Sequence, residues 1–371
     1  MIVPGHIPDS LFINDQAKLH DLCATLSKPK LIAIDTEFVR ESTYFAKLCL
    51  IQIATDELIA CIDCLAPIDM QPLFEQLLSA NVTLVAHSGR QDIEVIWQKA
   101  GALPLRMLDT QIAAGLLGYP PQIGLRELLI EIVGVEIEKS MARTDWTKRP
   151  LSQNALAYAL SDVEYLLDMW SKLERRLIQA GRLDWFEEDC QRALNVDLSP
   201  NLVQIFQRTK GAGRLRGIQI NTALALLKWR ENRAEEVNRP RRWILADEVI
   251  VALAQTKPSN LAELQNVPGI SAKSAEKLEA ALLPLINGQH DSTLDELAAA
   301  CAPSQRPNAS QLKLLQAHVR EAAMALDIEP EVIAAKRDLV ATVLNETPQH
   351  LRTGWRAAAL AAYVPDKHAG D

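Results

Sequence analysis

Strand-like segments are confined to the first 110 residues of this chain, and this confinement limits the folds that it can adopt. Short apolar runs bounded by polar residues predict strands at 31–34, 48–53, 58–62, 82–86 and 106–108. Helical periodicity predicts helices between the later strands and throughout the sequence after Asp109, including one long helix at 152–180. Three consecutive strands followed by alternating helices and strands favour an α/β domain with a mixed sheet and helices on both faces.

The character of the sequence changes near residue 210. The small-residue stretch at 210–213 is typical of a linker, and no strand pattern follows it. Two helical segments of similar size come next, and the apolar helix at 223–230 has the same pattern as the one at 311–318, which indicates a weak internal repeat. Since 371 residues exceed one ordinary domain, we predict an α/β domain at 1–209 and two all-α helical-bundle domains at 210–290 and 291–371.

The composition excludes several classes of protein. With 48% hydrophobic and 23% charged residues the chain is typical of a globular protein, and no apolar run reaches the ~18 residues of a membrane-spanning helix. Residues Met1 to Ser10 lack the basic start and apolar core of a signal peptide, so we expect a cytoplasmic protein.

Cys61 and Cys64 lie in a strand pattern without a second Cys or His pair, so we interpret them as two buried thiols rather than a zinc or redox site.

Positive charge is concentrated in one stretch of a chain whose net charge is −8. Between Arg208 and Arg242 there are ten cations and three acids, and Trp229 and Trp243 are interleaved with them. Clustered cations with aromatic residues are the usual footprint of a nucleic-acid contact. The alternative is a solvated helix face with Arg–Glu pairs about one turn apart.

Two carboxylates follow the first predicted strand directly. Asp35 and Glu37 are two residues apart, so on a strand their side chains point to the same face. Two acids on one face are costly unless they bind a cation, and Mg²⁺ or Mn²⁺ prefers carboxylate oxygens. The alternative is a strand end with acids exposed to solvent, and this pair alone does not decide between the two interpretations.

A second polar pair lies on the long predicted helix. Tyr158 and Asp162 are four residues apart and therefore stack on one face, among apolar positions such as Leu156 and Leu160. An acid beside an apolar surface suggests a bound ligand, and a tyrosine hydroxyl one turn away could hydrogen-bond a water that a metal holds. Alone, Tyr158 is better interpreted as an amphipathic residue at the rim of that face.

Two further acids precede or open predicted helices. Asp92 follows the strand at 82–86, and a favourable interaction with the helix dipole would explain it without any ligand. For Asp109 we favour a capping role over a ligand role. His87 could contact a substrate, but we favour a core or turn histidine.

Taken in chain order, Asp35 and Glu37, then Asp92, then Tyr158-x-x-x-Asp162 resemble the three exonuclease motifs of the DEDD superfamily, a group of ribonuclease H-like nucleases. Tyrosine stands four residues before the last acid, as in the tyrosine branch of that superfamily. Further runs resemble the ribonuclease D family and the HRDC domain that it shares with RecQ-type helicases. The ribonuclease D runs are 35–38, 50–53, 145–146 and 149–152, and the HRDC positions are 229–230, 240, 247 and 267–270.

The resemblance covers residues 1 to about 360 and implies a ribonuclease H-like fold and a 3′→5′ exoribonuclease. It implies that two divalent ions, Mg²⁺ or Mn²⁺, are held by Asp35, Glu37, Asp92 and Asp162, with Asp35 bridging both. Tyr158 would orient the attacking water rather than act as a strong base, because an unperturbed tyrosine has a pKa near ~10. The products would be nucleoside 5′-monophosphates.

The partner that the resemblance implies is RNA, in particular a tRNA precursor with a single-stranded 3′ end, bound by a monomer. The candidate nucleic-acid contacts are Thr36, Phe38, Gln52, His87, Arg214, Arg216, Arg230, Arg233, Arg241 and Arg242. Two alternatives remain open, namely a DNA 3′→5′ exonuclease in repair and an inactive RNA-binding scaffold. In the helix that matches 223–230, the second helical segment lacks the tryptophan of the first, since Ala317 stands in place of Trp229, and it has fewer cations.

Overall fold

The computed structural model of this chain describes residues 11–27, 31–137, 144–195, 198–288, 292–302 and 307–361. Contacts divide the chain into two units. The sheet-containing unit comprises Met1–Val39, Lys47–Val196 and Pro307–Asp371, and the helical unit comprises Arg40–Ala46 and Asp197–Arg306. The predicted lack of a signal peptide at Met1–Ser10 lies outside the described residues.

The sheet-containing unit is built on one mixed sheet, as the sequence predicts. Its strands are β1 (Phe12–Ile13), β2 (Leu31–Val39), β3 (Lys47–Ala54), β4 (Ile59–Asp63), β5 (Thr83–Ala86) and β6 (Met107–Asp109). Their order in the sheet is β1-β4-β3-β2-β5-β6. The β2, β3 and β4 strands form the predicted antiparallel meander, whereas β1 pairs with β4, and β5 with β2 and β6, in parallel.

The centre of this sheet is buried on both faces. After Lys47 every residue of β3 is buried, which explains why β3 reads as a nearly continuous apolar run instead of alternating. The register places Asp35 of β2 opposite Gln52 of β3 and Glu37 opposite Leu50, and a bulge follows Glu37. Because directly opposite residues share a face, all four side chains belong to one face of the sheet.

Eight helices of this unit accompany the strands in chain order. They are α1 (Gln16–Leu26), α2 (Gln71–Leu77), α3 (Arg90–Ala100), α4 (Thr110–Leu116), α5 (Leu125–Ile132), α6 (Gln153–Glu164), α7 (Leu166–Gln179) and α8 (Leu183–Leu194). The single helix predicted at 152–180 is wrong in one respect, because it is interrupted at Tyr165, whose backbone φ of −109° and ψ of 1° are not helical. The apolar periodicity continues across this break, since Val163 and Leu166 are both buried.

The described residues of the helical unit contain seven further α-helices. They are α9 (Leu202–Arg208), α10 (Ile218–Glu236), α11 (Arg241–Ile244), α12 (Asp247–Thr256), α13 (Leu261–Gln265), α14 (Ala272–Asn287) and α15 (Ser292–Cys301). Helix α10 lies at the centre, where Leu224 and Leu227 are fully buried against residues such as Ile250 and Leu282. As predicted, no strand occurs after Asp109 in the described part of the chain.

The segment Arg40–Ala46 joins β2 to β3 and belongs to the helical unit by its contacts. The backbone N–H groups of Tyr44 and Phe45 donate to Oδ1 of Asn238 at 3.1 and 3.2 Å. The Tyr44 hydroxyl donates to Glu231 at 3.2 Å, and the Arg241 guanidinium lies 4.6 Å from the centre of the Tyr44 ring. These contacts fix the segment on α10 and α11.

The last four helices return to the sheet-containing unit. They are α16 (Ala309–Leu326), α17 (Pro330–Ile333), α18 (Lys336–Val343) and α19 (Gly354–Ala361). Val319, Ala323 and Trp355 are buried in the same apolar cluster as Leu173 of α7 and Phe186 of α8. The predicted division at 209/210 and 290/291 stays a prediction; by contacts, α15 groups with the helical unit and residues from Pro307 onwards group with the sheet.

The internal repeat is visible in the order and length of the helices. Helices α10, α11 and α12 have 19, 4 and 10 residues, and α16, α17 and α18 have 18, 4 and 8. Among the described residues no helix combines the length and the hydrophobicity that crossing a bilayer requires.

Candidate active site

Three of the predicted metal-binding carboxylates come together beside the centre of the sheet. Asp35 and Glu37 lie on one face of β2, and Asp162 lies on α6, which packs over that face. One carboxylate oxygen from each of the three lies within 4.8 Å of the others. Asp35 and Glu37 therefore share a face, as their spacing of two residues on a strand predicts. The third acid, Asp162, is supplied by a helix more than 100 residues later in the chain.

Asp92 is buried in the first turn of α3 and faces the same site. Its carboxylate accepts a hydrogen bond of 2.5 Å from the hydroxyl of Thr36, the residue between the two β2 acids. Its charge also raises the pKa of both Asp35 and Glu37. The N-cap of α3 is Gly89, so Asp92 does not cap this helix with its side chain. Thr36, a predicted nucleic-acid contact, uses its hydroxyl to hold Asp92.

The electrostatics of these four acids indicate a cation site. Burial raises the pKa of Glu37 to about 8, of Asp162 to about 7 and of Asp92 to about 6. Burial, followed by the charges of Asp92, Asp162 and Glu37, raises the pKa of Asp35 well above its usual range. Crowded, buried carboxylates are costly as anions unless positive charge compensates them. A donor set made only of carboxylate oxygens fits hard cations such as Mg²⁺ and Mn²⁺.

Tyr158 lies one turn before Asp162 on α6 and is half-buried. Its hydroxyl forms a hydrogen bond with the Asp162 carboxylate, which partly offsets the effect of burial on the pKa of that acid. Its ring is stacked on the indole of Trp146 with a centroid distance of 6.2 Å. The structure therefore brings the tyrosine to the carboxylate cluster, as the four-residue spacing predicts. Trp146 belongs to the run at 145–146 that resembles the ribonuclease D family, but the sequence does not predict its contact with Tyr158.

Gln52 is fully buried opposite Asp35 in the β2–β3 ladder. Neither its amide nitrogen nor its amide oxygen has a hydrogen-bond partner among the described residues. An unpaired buried amide costs about 1–3 kcal/mol. Of the other predicted contacts on β2, Phe38 is half-buried directly after the bulge.

His87 and Asp109 hold the turn that leads into α3. The two ring nitrogens of His87 lie 2.9 Å from Oγ1 of Thr110 and 3.0 Å from the carbonyl oxygen of Ile123, which favours the structural interpretation over a substrate contact. Asp109 caps α4 by accepting from the Gln111 N–H at 2.9 Å, which confirms the predicted capping role. It also accepts from the N–H groups of residues 88 and 89.

The predicted basic surface of the helical unit is smaller than the sequence indicates. Arg230 is only 3% exposed, and its guanidinium donates to Asp247 at 2.6 Å, so it is not an exposed nucleic-acid contact, in contrast to the prediction. Arg241 is held by Glu231 at 2.5 Å. Arg233 and Arg242 are exposed but paired with acids, and Arg214 and Arg216 are exposed. The acids of α12 that pair with Arg230 and Arg242 lie beyond the end of the basic stretch at 208–242.

A cavity of about 880 Å³ lies on the helical unit where α10 and α14 meet the α10–α11 connection. Two tryptophans line it, Trp229 and Trp243, and the Trp243 side chain is 63% exposed. Arg239 and Lys277 also line it, and neither side chain has a hydrogen-bond or ion-pair partner in the described part of the chain. Aromatic faces beside unpaired cations suit the bases and phosphates of a nucleic-acid strand.

The chain is similar to known nucleases over nearly its whole length. A family model described as 3′-5′ exonuclease matches residues 11–178, and one described as HRDC domain matches residues 221–286. A protein named Ribonuclease D from Acidiphilium cryptum is 35% identical over 94% of this chain and 91% of its own length. A protein of the same name from Gluconacetobacter diazotrophicus is 32% identical over 94% and 90%. The crystal structure of Escherichia coli RNase D, described as an exoribonuclease involved in structured RNA processing, has a TM-score of 0.80 at 29% identity and covers 95% of this chain and 96% of that one.

Proposed function

Because this chain belongs to the ribonuclease D family of hydrolytic 3′→5′ exoribonucleases, we propose that it trims the single-stranded 3′ ends of RNA with the help of two divalent metal ions. The observation that carries the proposal is the convergence of Asp35, Glu37 and Asp162 within 4.8 Å of one another. Asp92 and Tyr158 adjoin this cluster through hydrogen bonds to Thr36 and Asp162.

Each side chain of the cluster has a distinct task in this proposal. When bound, Mg²⁺ or Mn²⁺ would lower the pKa of water and stabilise the charge that develops on the phosphate. Asp35, Glu37, Asp92 and Asp162 would hold the ions, with Asp35 at the centre of the four acids. Tyr158 donates to Asp162 and orients the attacking water towards the terminal phosphodiester. Attack by this water at the phosphorus breaks the bond to the 3′ oxygen of the preceding nucleotide. That oxygen takes up a proton and becomes the new 3′-hydroxyl of the shortened RNA, and a nucleoside 5′-monophosphate is released.

We further propose that the RNA is a tRNA precursor whose folded part the helical unit helps to hold. The relative from Escherichia coli is described as acting in structured RNA processing, which supports a structured substrate. The cavity at Trp229 and Trp243, with Arg239 and Lys277, is the part of the helical unit best suited to the bases and phosphates of that folded part. Arg230, a contact in the sequence-based prediction, does not belong to this surface. Lys277 does, although it lies outside the basic stretch at 208–242.

This surface should affect the affinity for RNA rather than the rate of the chemical step. Replacing Arg239 and Lys277 together with Ala should raise the KM for a 3′-tailed RNA and leave kcat within about twofold. Each lost phosphate contact should reduce the salt slope of binding by about 0.7. Trp243→Ala should weaken binding by about 1–3 kcal/mol if a base stacks on it. Lys273→Ala, an exposed cation on the same helix α14, is the matched control, and an equal effect there would refute the assignment.

Matched RNA and DNA oligonucleotides with the same single-stranded 3′ tail test the activity itself. We expect stepwise shortening of the RNA from its 3′ end in Mg²⁺ or Mn²⁺, with nucleoside 5′-monophosphates as products, and slower shortening of the DNA. Faster trimming of DNA would favour the repair exonuclease. Binding without trimming in either metal would favour the inactive scaffold.

A further inference from the structure

Residues 144–150 form a loop shortly before α6. This loop contacts both the sheet and Tyr158. We propose that this loop positions Tyr158: Trp146 is the positioning residue, and an ion pair between Arg149 and Asp63 locks Trp146 in place. The inference rests on the proposed function, since it assigns a purpose to the orientation of Tyr158.

The ion pair between Arg149 and Asp63 is bidentate and lies at the end of β4. Nε and Nη2 of Arg149 donate to the two carboxylate oxygens of Asp63 at 2.7 and 2.5 Å. Asp63 is only 5% exposed, so solvent screens this pair little. Paired N–H groups on one carboxylate fix orientation as well as distance, which a lysine could not reproduce.

The same guanidinium fixes the loop to the neighbouring strand and to itself. Nη2 of Arg149 also donates to the carbonyl oxygen of Cys49 on β3 at 3.1 Å. Nη1 donates to the carbonyl oxygen of Trp146 at 2.9 Å. The backbone of Trp146 is therefore tied, through one side chain, to β3 and β4, two of the three strands over which α6 packs.

The indole transmits this constraint to Tyr158. Trp146 is 6% exposed and packs in one apolar cluster with Leu156 and Leu160 of α6 and with Leu50, the residue opposite Glu37. Its ring and that of Tyr158 are stacked, with an interplanar angle of 29° and a centroid distance within the usual range for aromatic pairs. A half-buried tyrosine on a helix has more than one staggered conformer open to it. The indole favours the one in which the hydroxyl meets Asp162.

If Trp146 positions Tyr158, the loss of rate on changing Trp146 should depend on whether the Tyr158 hydroxyl is present. If Trp146 only stabilises the fold, the loss should not depend on it. Small displacements of an orienting group lower the rate of the chemical step more than they weaken substrate binding. If Trp146 acts through the Tyr158 hydroxyl, removing that hydroxyl should make the enzyme insensitive to changes at Trp146. Effects that share one pathway in this way are non-additive.

The experiment is a double-mutant cycle on the full chain, with single-turnover and steady-state trimming of a 3′-tailed RNA. We expect Trp146→Leu to lower kcat about 10-fold with KM within about twofold, and Trp146→Phe, which keeps a ring, to restore most of the rate. In the Tyr158→Phe background Trp146→Leu should cost less than twofold further. Arg149→Lys, which keeps the indole, should show the same dependence on Tyr158. Trp170→Phe, at a buried stacked pair elsewhere in the unit, should leave kcat unchanged.

Equal losses from Trp146→Leu with and without the Tyr158 hydroxyl would overturn the positioning role and leave the proposed function intact. An unchanged kcat in Tyr158→Phe would overturn both the positioning role and the task given to Tyr158. If Trp146→Leu proves poorly folded by its melting temperature, the cycle with Arg149→Lys decides between the same outcomes.

Discussion

Replacing Asp35 with Asn should lower the rate of RNA trimming at least about 10³-fold while the protein remains folded. Asp35 is the acid on whose pKa the charges of Asp92, Asp162 and Glu37 all act, so its charge is central to the cluster. A metal ion contributes several kcal/mol of transition-state stabilisation, and each 1.36 kcal/mol is about tenfold in rate. Single-turnover trimming in Mg²⁺ and in Mn²⁺ measures the loss.

Stability separates this loss from misfolding. The substitution removes one charge from a crowded, buried group of like charges, so the metal-free variant should melt no lower than the parent protein. Asp56→Asn, at an exposed acid in the turn between β3 and β4, is the matched control and should keep its activity. If Asp35→Asn retained more than a tenth of the parent rate, the assignment of the metal-binding residues would be wrong.

Without divalent ions, the melting temperature should fall as the pH rises from 5.5 to 8.5. In the folded protein the pKa values are about 6 for Asp92, about 7 for Asp162 and about 8 for Glu37. In the unfolded chain they are near ~4. Because the folded-state values are higher, the stability that these acids contribute is fully present below pH ~4 and is lost as the pH rises through those values. A loss of about 1 kcal/mol corresponds to about 2–4 °C in a domain of this size.

Mg²⁺ or Mn²⁺ should abolish this fall, because the cations stabilise the charged carboxylates. Each site that is filled at 100 times its Kd adds about 2.7 kcal/mol of stability. Melting curves in EDTA and in Mn²⁺ at several pH values make the comparison. Asp162→Asn should show a shallower decline in EDTA, since one titrating group is removed. Identical curves in EDTA and Mn²⁺ would count against a metal site at these acids.

The parts of the site that the sequence predicts are those that regular backbone periodicity places together. A period of two on β2 puts Asp35 and Glu37 on one face, and a spacing of four on α6 puts Tyr158 beside Asp162. Asp92 is different, because an acid in the first turn of a helix has a sufficient explanation in the helix dipole. Only the three-dimensional contact with Thr36 shows which way it faces.

Contacts between distant parts of the chain account for what the sequence does not predict. The residues of the basic stretch at 208–242 do not by themselves reveal its charge balance, because Arg230 and Arg242 are paired with Asp247 and Glu248 beyond its end. Trp146 lies in a loop without periodicity, so its approach to Tyr158 has no sequence signal. The helix break at Tyr165 also has none, because no glycine or proline marks it and apolar residues continue on both sides.

Helices α16 to α19 complete the core of a unit whose strands are translated much earlier. The core of the sheet-containing unit includes Val319, Ile333, Leu339 and Trp355, all of which follow the helical unit in the sequence. Domains generally fold as units while translation proceeds from the N-terminus, and the helical unit is complete once Arg306 has emerged. The strand that carries Asp35 is translated long before these four residues, so the unit that supports it lacks part of its core until they have emerged from the ribosome. A chain that stops before Pro307 should therefore lack a complete support for its carboxylate cluster.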